Sequence, residues 1–137
     1  WINTGMRLTE QVREALSNDK YPLFVSEGTS EEKLEKIKHS GYLHRGLASL
    51  GSVSGLMVAY GVSFAQNDEH VLHLIEKGKI KSLAVGLYGD PESPSNQKII
   101  NRANLMKDRR AQYHDGRRRP LPLEVDYFDA SSANVWG

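Results

Sequence analysis

Apolar and polar positions along the chain alternate between a helical period and a strand period. From Arg7 to Ser17, Leu8, Val12, Ala15 and Leu16 recur at helical spacing, with Thr4 or Thr9 as the cap and Asn18-Asp19 as the stop. Tyr21 to Ser26 reads as a short strand with Pro22 in its first residues. Thr29-Ser30-Glu31-Glu32 is a capping box opening a helix over Ser30 to His39, with Leu34 and Ile37 on its core face. Ser40-Gly41 breaks it. Leu43, Leu47 and Leu50 then mark one face of a helix from Tyr42 to about Leu50.

The second half is strand-rich. Leu56 to Tyr60 is a continuous apolar run, which suits a strand covered on both faces. A helix from about Asp68 to Lys77 carries Val71, Leu72, Leu74 and Ile75, with Asn67 or Asp68 as its cap. Ser82 to Tyr88 is all small or apolar and predicts a central strand. Ser93 caps a long helix from Ser95 to His114, with Pro94 at its first position and Ile99, Ile100, Ala103 and Met106 inward. Leu123, Val125 and Tyr127 alternate in a half-buried edge strand over Leu121 to Phe128, and Val135-Trp136 is expected to pack.

Strands that alternate with helices predict an α/β fold. It is a Rossmann-like, mostly parallel sheet with helices on both faces, formed by residues 1–137 as a single domain. Three turns at strand ends carry glycine: Glu27-Gly28, Gly61-Val62-Ser63 and Gly89-Asp90. In a parallel sheet they converge on one edge, where open α/β sheets hold ligands, often phosphates.

Composition narrows the chemistry. A net charge of +1 makes no global case for nucleic acid or a membrane. The absence of cysteine excludes disulfides and thiolate metal sites, and fits a reducing cytoplasm. No apolar run approaches the ~20 residues that span a bilayer. The chain opens on Trp1 rather than Met, so it is expected to begin inside a longer protein.

Other constellations read more plainly. His70 and His73 lie three apart beside Asp68 and Glu69, but no third metal ligand is evident, so no metal is expected. Ser26 to Ser30 offers a helix N-terminus to an anion, or simply caps its own helix. Arg109-Arg110 with Arg117-Arg118-Arg119 forms a basic helix end. It lacks the series of interleaved aromatics that makes a stacking platform, so nucleic acid is not the expected partner. There is no nucleophile elbow and no Walker phosphate loop.

The strand-plus-turn signatures together resemble the second half of the Rossmann-type domain of sirtuin-like proteins, in the DHS-like NAD-binding superfamily. Pro22-Leu23-Phe24-Val25-Ser26-Glu27-Gly28 is similar to the family's first such strand, and Leu56 to Ser63 to the one ending Gly-Thr-Ser. Ser82 to Tyr88 takes the place of the third. Tyr60 to Phe64 with Asn67 to His70 looks like an uncharacterised bacterial branch, whose wider group includes NAD-cleaving effectors of phage defence.

The resemblance implies an NAD or ADP-ribose-type nucleotide as ligand. Gly61 and Ser63 would lie at ribose and phosphate, Asp68 would order the loop, and Asp90 would accept from a ribose hydroxyl, with Glu27 and Gly28 at the same edge. Val62 stands where sirtuins have Thr, and Tyr88-Gly89 where they have Ile-Asn. The family's Gly-rich first turn and catalytic His and Asn have no match here. The chain alone is therefore expected to be inactive, with catalytic residues unassigned, and to associate with a missing N-terminal half or with itself. The other class of function is a non-catalytic interaction or assembly domain using the basic helix end.

Overall fold

In the computed structural model, which describes residues 7–18 and 27–135, three strands form one parallel sheet. Its centre is β2 (Lys79–Leu87), flanked by β1 (Ser54–Ala59) and β3 (Glu124–Asp129). The helices are α1 (Leu8–Ser17), α2 (Ser30–Lys38), α3 (Gly41–Ser52), α4 (Glu69–Lys77) and α5 (Pro94–His114). The strand predicted over Tyr21–Ser26 lies outside the described residues.

Burial alternates along β1, whereas β2 departs from a regular alternation. Ile80 and Leu83 are both in the core although they stand three apart, which a regular strand forbids. The pairing slips between them: Gly55 faces Ile80 and Leu56 faces Ser82, leaving Lys81 as an extra residue. Gly55 sits opposite this bulge at φ +82°. β2 begins at Lys79, where it pairs with Ser54, rather than at the expected Ser82.

Because β1, β2 and β3 lie side by side in chain order, right-handed crossovers put both connecting helices on one face. There Leu72 and Ile75 of α4 and Ala103 and Met106 of α5 pack with Ala59, Leu83, Val85 and Leu87. Ile99, Ile100, Met57 and Val125 close the rim of this core. α2 and α3 pack on each other and on α4. Leu43, Leu47 and Leu50 share one face of α3 as predicted, but they are only half-buried and line an open cavity with Ile37.

The other face departs from the expectation for Leu56 to Tyr60. Leu56 is 63% and Val58 58% exposed, so among the described residues this run is not covered on both sides. Met57 and Ala59 point to the face that α4 and α5 cover, whereas Leu56 and Val58 point to the opposite face, over which no described helix packs. Over β2 that face is closed by Phe128 and Ala130 folding onto Gly86, where a Cβ would come within 2.9 Å of the Phe128 ring. Val135 is exposed rather than packed, and Trp136 lies outside the described residues. No described helix is long and apolar enough to cross a membrane.

Helix ends also differ from expectation in an instructive way. The Thr29–Glu32 capping box of α2 forms with both bonds in place. α1 starts after Arg7 with no side-chain cap, so Thr9 does not cap it, and Thr4 lies outside the described residues. Asp68 is the N-cap residue of α4 but gives it no side-chain bond. Its carboxylate instead accepts from the buried Lys33 ammonium at 2.8 Å, tying α2 to the entry of α4. The missing cap comes from another helix: Ser30 Oγ accepts from the His70 backbone N–H at 2.8 Å and lies 3.1 Å from His70 Nδ1.

His114, at the end of α5, is buried with neither ring nitrogen partnered among the described residues. Burial, together with the charges of Arg117 and Arg110, pushes its imidazole below the ordinary value of 6.5. Burial also lowers His70, against the opposing pull of Asp68. Below about pH 6.5 the unfolded chain binds protons that the folded chain resists. Stability is therefore full above that value and falls as the pH drops through it toward the lower folded pKa. The urea midpoint should be lower at pH 5 than at pH 7.5, and His114→Leu should flatten this slope. An unchanged slope in that variant would remove His114 from the account.

Candidate functional site

The loop after β1 positions the site. Gly61 takes φ +66°, which turns the chain sharply at the end of the strand. Phe64 follows at φ +51° with its ring buried in the core, so the loop is anchored in a backbone region that side chains disfavour. Between them, Val62 and Ser63 stand exposed.

This loop forms one wall of a cavity of about 420 Å³ lined by Tyr60, Gly61, Val62, Ser63, Tyr88 and Asn96, with Gly86, Ile99 and Ala130 completing it. Residues following the ends of all three strands meet here: Tyr60 after β1, Tyr88 after β2, Ala130 after β3. Asn96 builds the far side. It is buried, and its Nδ2 donates to the Tyr88 carbonyl at 2.9 Å and to the Asp90 carbonyl at 2.8 Å, fixing the turn between β2 and α5. Ser93 caps α5 by accepting from the Asn96 N–H, as its sequence position suggested.

A second cavity of about 650 Å³ shares Ser63 and Ile99 with the first. Its wall continues through Phe64, Ala65 and Gln66 to Glu69 of α4 and to Lys98, Arg102 and Arg109 of α5. Arg102 and Arg109 reach across to α4. Arg102 bonds Glu69, and Arg109 bonds Glu76 at 3.1 Å and Glu69 at 3.5 Å. Burial works to raise the Glu69 carboxyl, but the Arg102 bond and the neighbouring cations outweigh it and hold Glu69 below the usual carboxylate range.

Glu69, His73 and Glu76 lie on one face of α4 with ligand atoms close enough to suit a metal. The two guanidiniums already neutralise these carboxylates, and His73 Nδ1 lies 2.7 Å from Glu76, so the donors are committed to an ion-pair network. His70 is not part of it, being joined to Ser30. His73 is exposed within that network rather than set at the core edge.

A family described as a domain of unknown function, DUF4917, matches residues 1–136. The chain belongs to this family. No curated protein and no solved structure matches it.

Within this family member, the structure brings together Gly61 and Ser63 of the expected site residues. Asp90 lies in the neighbouring turn, but its Oδ1 accepts from the Glu92 N–H at 2.9 Å and it does not line the cavity. Asp68 is taken up by Lys33. Glu27 and Gly28 line a separate shallow surface with Glu31, Glu32 and Glu35. Their turn holds the capping box of α2 and contributes nothing to either cavity at the strand ends.

The basic helix end also divides. Arg110 is buried and Arg109 is ion-paired, so neither offers a free charge to nucleic acid, and Arg117 stacks over the Tyr113 ring at 4.4 Å. The sequence reading missed Lys98 and Arg102. Their only signal is the i, i+4 spacing on a helix whose facing strand ends were not yet known.

Proposed function

We propose that this chain forms one wall of a nucleotide site of the NAD or ADP-ribose type. The observation that carries it is the cavity at the carboxyl ends of all three parallel strands, where Gly61, Ser63, Tyr88 and Asn96 meet. Its chemistry suits a ribose and a planar ring: the lining combines the small Gly61 and the Ser63 hydroxyl with the rings of Tyr60 and Tyr88. A disfavoured backbone at Phe64 is the kind of feature that clusters at binding sites. The resemblance of residues 22–28, 56–63 and 82–88 to sirtuin-like proteins supports the same ligand class. In that setting the nicotinamide–ribose bond would be cleaved by residues outside this chain's matching half, and this chain would bind and orient.

Titration of the full chain with NAD and with ADP-ribose, followed by amide NMR shifts, tests the reading. Saturable shifts are expected at Gly61, Ser63 and Gly89. Tyr88→Ala and Ser63→Ala should each weaken binding about three- to tenfold, the range of one lost contact of about 1 kcal/mol. Shifts absent at ligand saturation, or unaltered affinity in both variants, would overturn it.

A further inference from the structure

Resting on that reading, we infer that the adjoining cavity is the site's phosphate pocket, with Lys98 and Arg102 as the residues that recognise a diphosphate. Ser95, Lys98, Ile99 and Arg102 fall at i, i+3, i+4 and i+7 of α5 and so face the cavity as one stripe. The wall carries three cations, Lys98, Arg102 and Arg109, against the single carboxylate of Glu69. Glu76, which also holds Arg109, brings the local carboxylates to two and leaves one positive charge in excess.

Two details locate that excess. Lys98 is exposed and pairs with no carboxylate among the described residues. Arg102 Nε is buried and has no hydrogen-bond partner among them, although the same guanidinium bonds Glu69. A buried donor left without an acceptor is costly, and a guanidinium with one edge engaged still presents its other donors to a planar or tetrahedral anion.

The path between the cavities fits a nucleoside diphosphate. Both are lined by Ser63 and Ile99, so a ligand with its nucleoside against Tyr60 and Tyr88 extends its charged end past Ser63 toward Lys98. Glu69 then acts as the internal counter-ion. It holds the arginines in place without ligand and repels an anion that goes too deep.

The test compares adenosine, ADP-ribose and inorganic pyrophosphate on the full chain by amide NMR titration. Wild type should bind ADP-ribose more tightly than adenosine, and pyrophosphate should displace ADP-ribose. Lys98→Glu, which removes no contact within the fold, should weaken ADP-ribose about tenfold or more and leave adenosine unchanged. Arg102→Gln should do the same, provided its thermal transition shows that it is folded. ADP-ribose bound equally by wild type and Lys98→Glu would overturn the phosphate pocket and leave the nucleotide reading standing. Failure of wild type to bind either adenosine or ADP-ribose would overturn both.

Discussion

Replacing Arg110 with methionine is expected to lower the free energy of unfolding by about 3–5 kcal/mol, because it leaves several buried carbonyls without a donor at about 1–3 kcal/mol each. In a domain of this size that corresponds to a fall in melting temperature of about 10–20 °C. Arg110 is 0% exposed, and its guanidinium is spent on backbone carbonyls. Nε donates to the Glu76 carbonyl at 2.6 Å. Nη1 donates to the carbonyls of Ile80 at 3.1 Å and Leu121 at 3.3 Å, and Nη2 donates to that of Ile75.

Ile75 and Glu76 lie in the last turn of α4, whose carbonyls have no partner within the helix. Ile80 lies in the stretch of β2 that precedes its pairing with β3, and Leu121 leads into β3. One side chain thus closes the end of a helix, satisfies the start of the central strand and holds the entry of the edge strand. Burial pulls its pKa down, yet a guanidinium stays protonated in proteins, so the positive charge at the helix C-terminus remains favourable. Lysine keeps the charge but offers a point rather than a planar fork, so Arg110→Lys should recover less than half of the loss. Chemical denaturation of both variants is the measurement. A methionine variant within 1 kcal/mol of wild type would mean that the four carbonyls are satisfied without it.

Much of the fold was legible because periodicity is a local signal. Leu34 with Ile37 and Ala103 with Met106 lie inward where their spacing put them, and the small and apolar run from Ser82 to Tyr88 includes most of the central strand. What escaped depends on partners distant in the chain. The bulge at Lys81 is visible only once β1 is laid beside β2. Ser30 reads as the first residue of its own helix, and nothing nearby says that it caps α4. Arg109 and Arg110 look alike in sequence, yet the helical step of 100° sends one to the ion pairs on the surface of α4 and the other beneath it.

The candidate site divides in the same way. Gly61 and Ser63 were readable because a glycine turn after an apolar strand is itself a ligand-site signal. Glu27-Gly28 carried the same local signal but belongs to the cap of α2. Lys98 and Arg102 gain meaning only from the strand ends that α5 crosses.

The second large effect is expected at Phe64, and it should show an unusual order among substitutions. Its ring is 4% exposed in the core, so Phe64→Ala should cost about 3–5 kcal/mol, as for other buried aromatic truncations. Glycine would ordinarily be worse than alanine because it adds chain entropy to the unfolded state. Here the backbone stands at φ +51°, where an L-residue loses roughly 1–2 kcal/mol and glycine does not. Phe64→Gly should therefore be more stable than Phe64→Ala by about 1 kcal/mol, read from urea midpoints of the two variants. Both lose the anchor that holds Val62 and Ser63 against the cavities, so both should bind ADP-ribose more weakly than their stability alone predicts. An alanine variant more stable than the glycine one would show that the turn at Phe64 is unstrained. The loop would then be held by the buried ring alone, and the shape of the cavity wall would follow from packing rather than from backbone conformation.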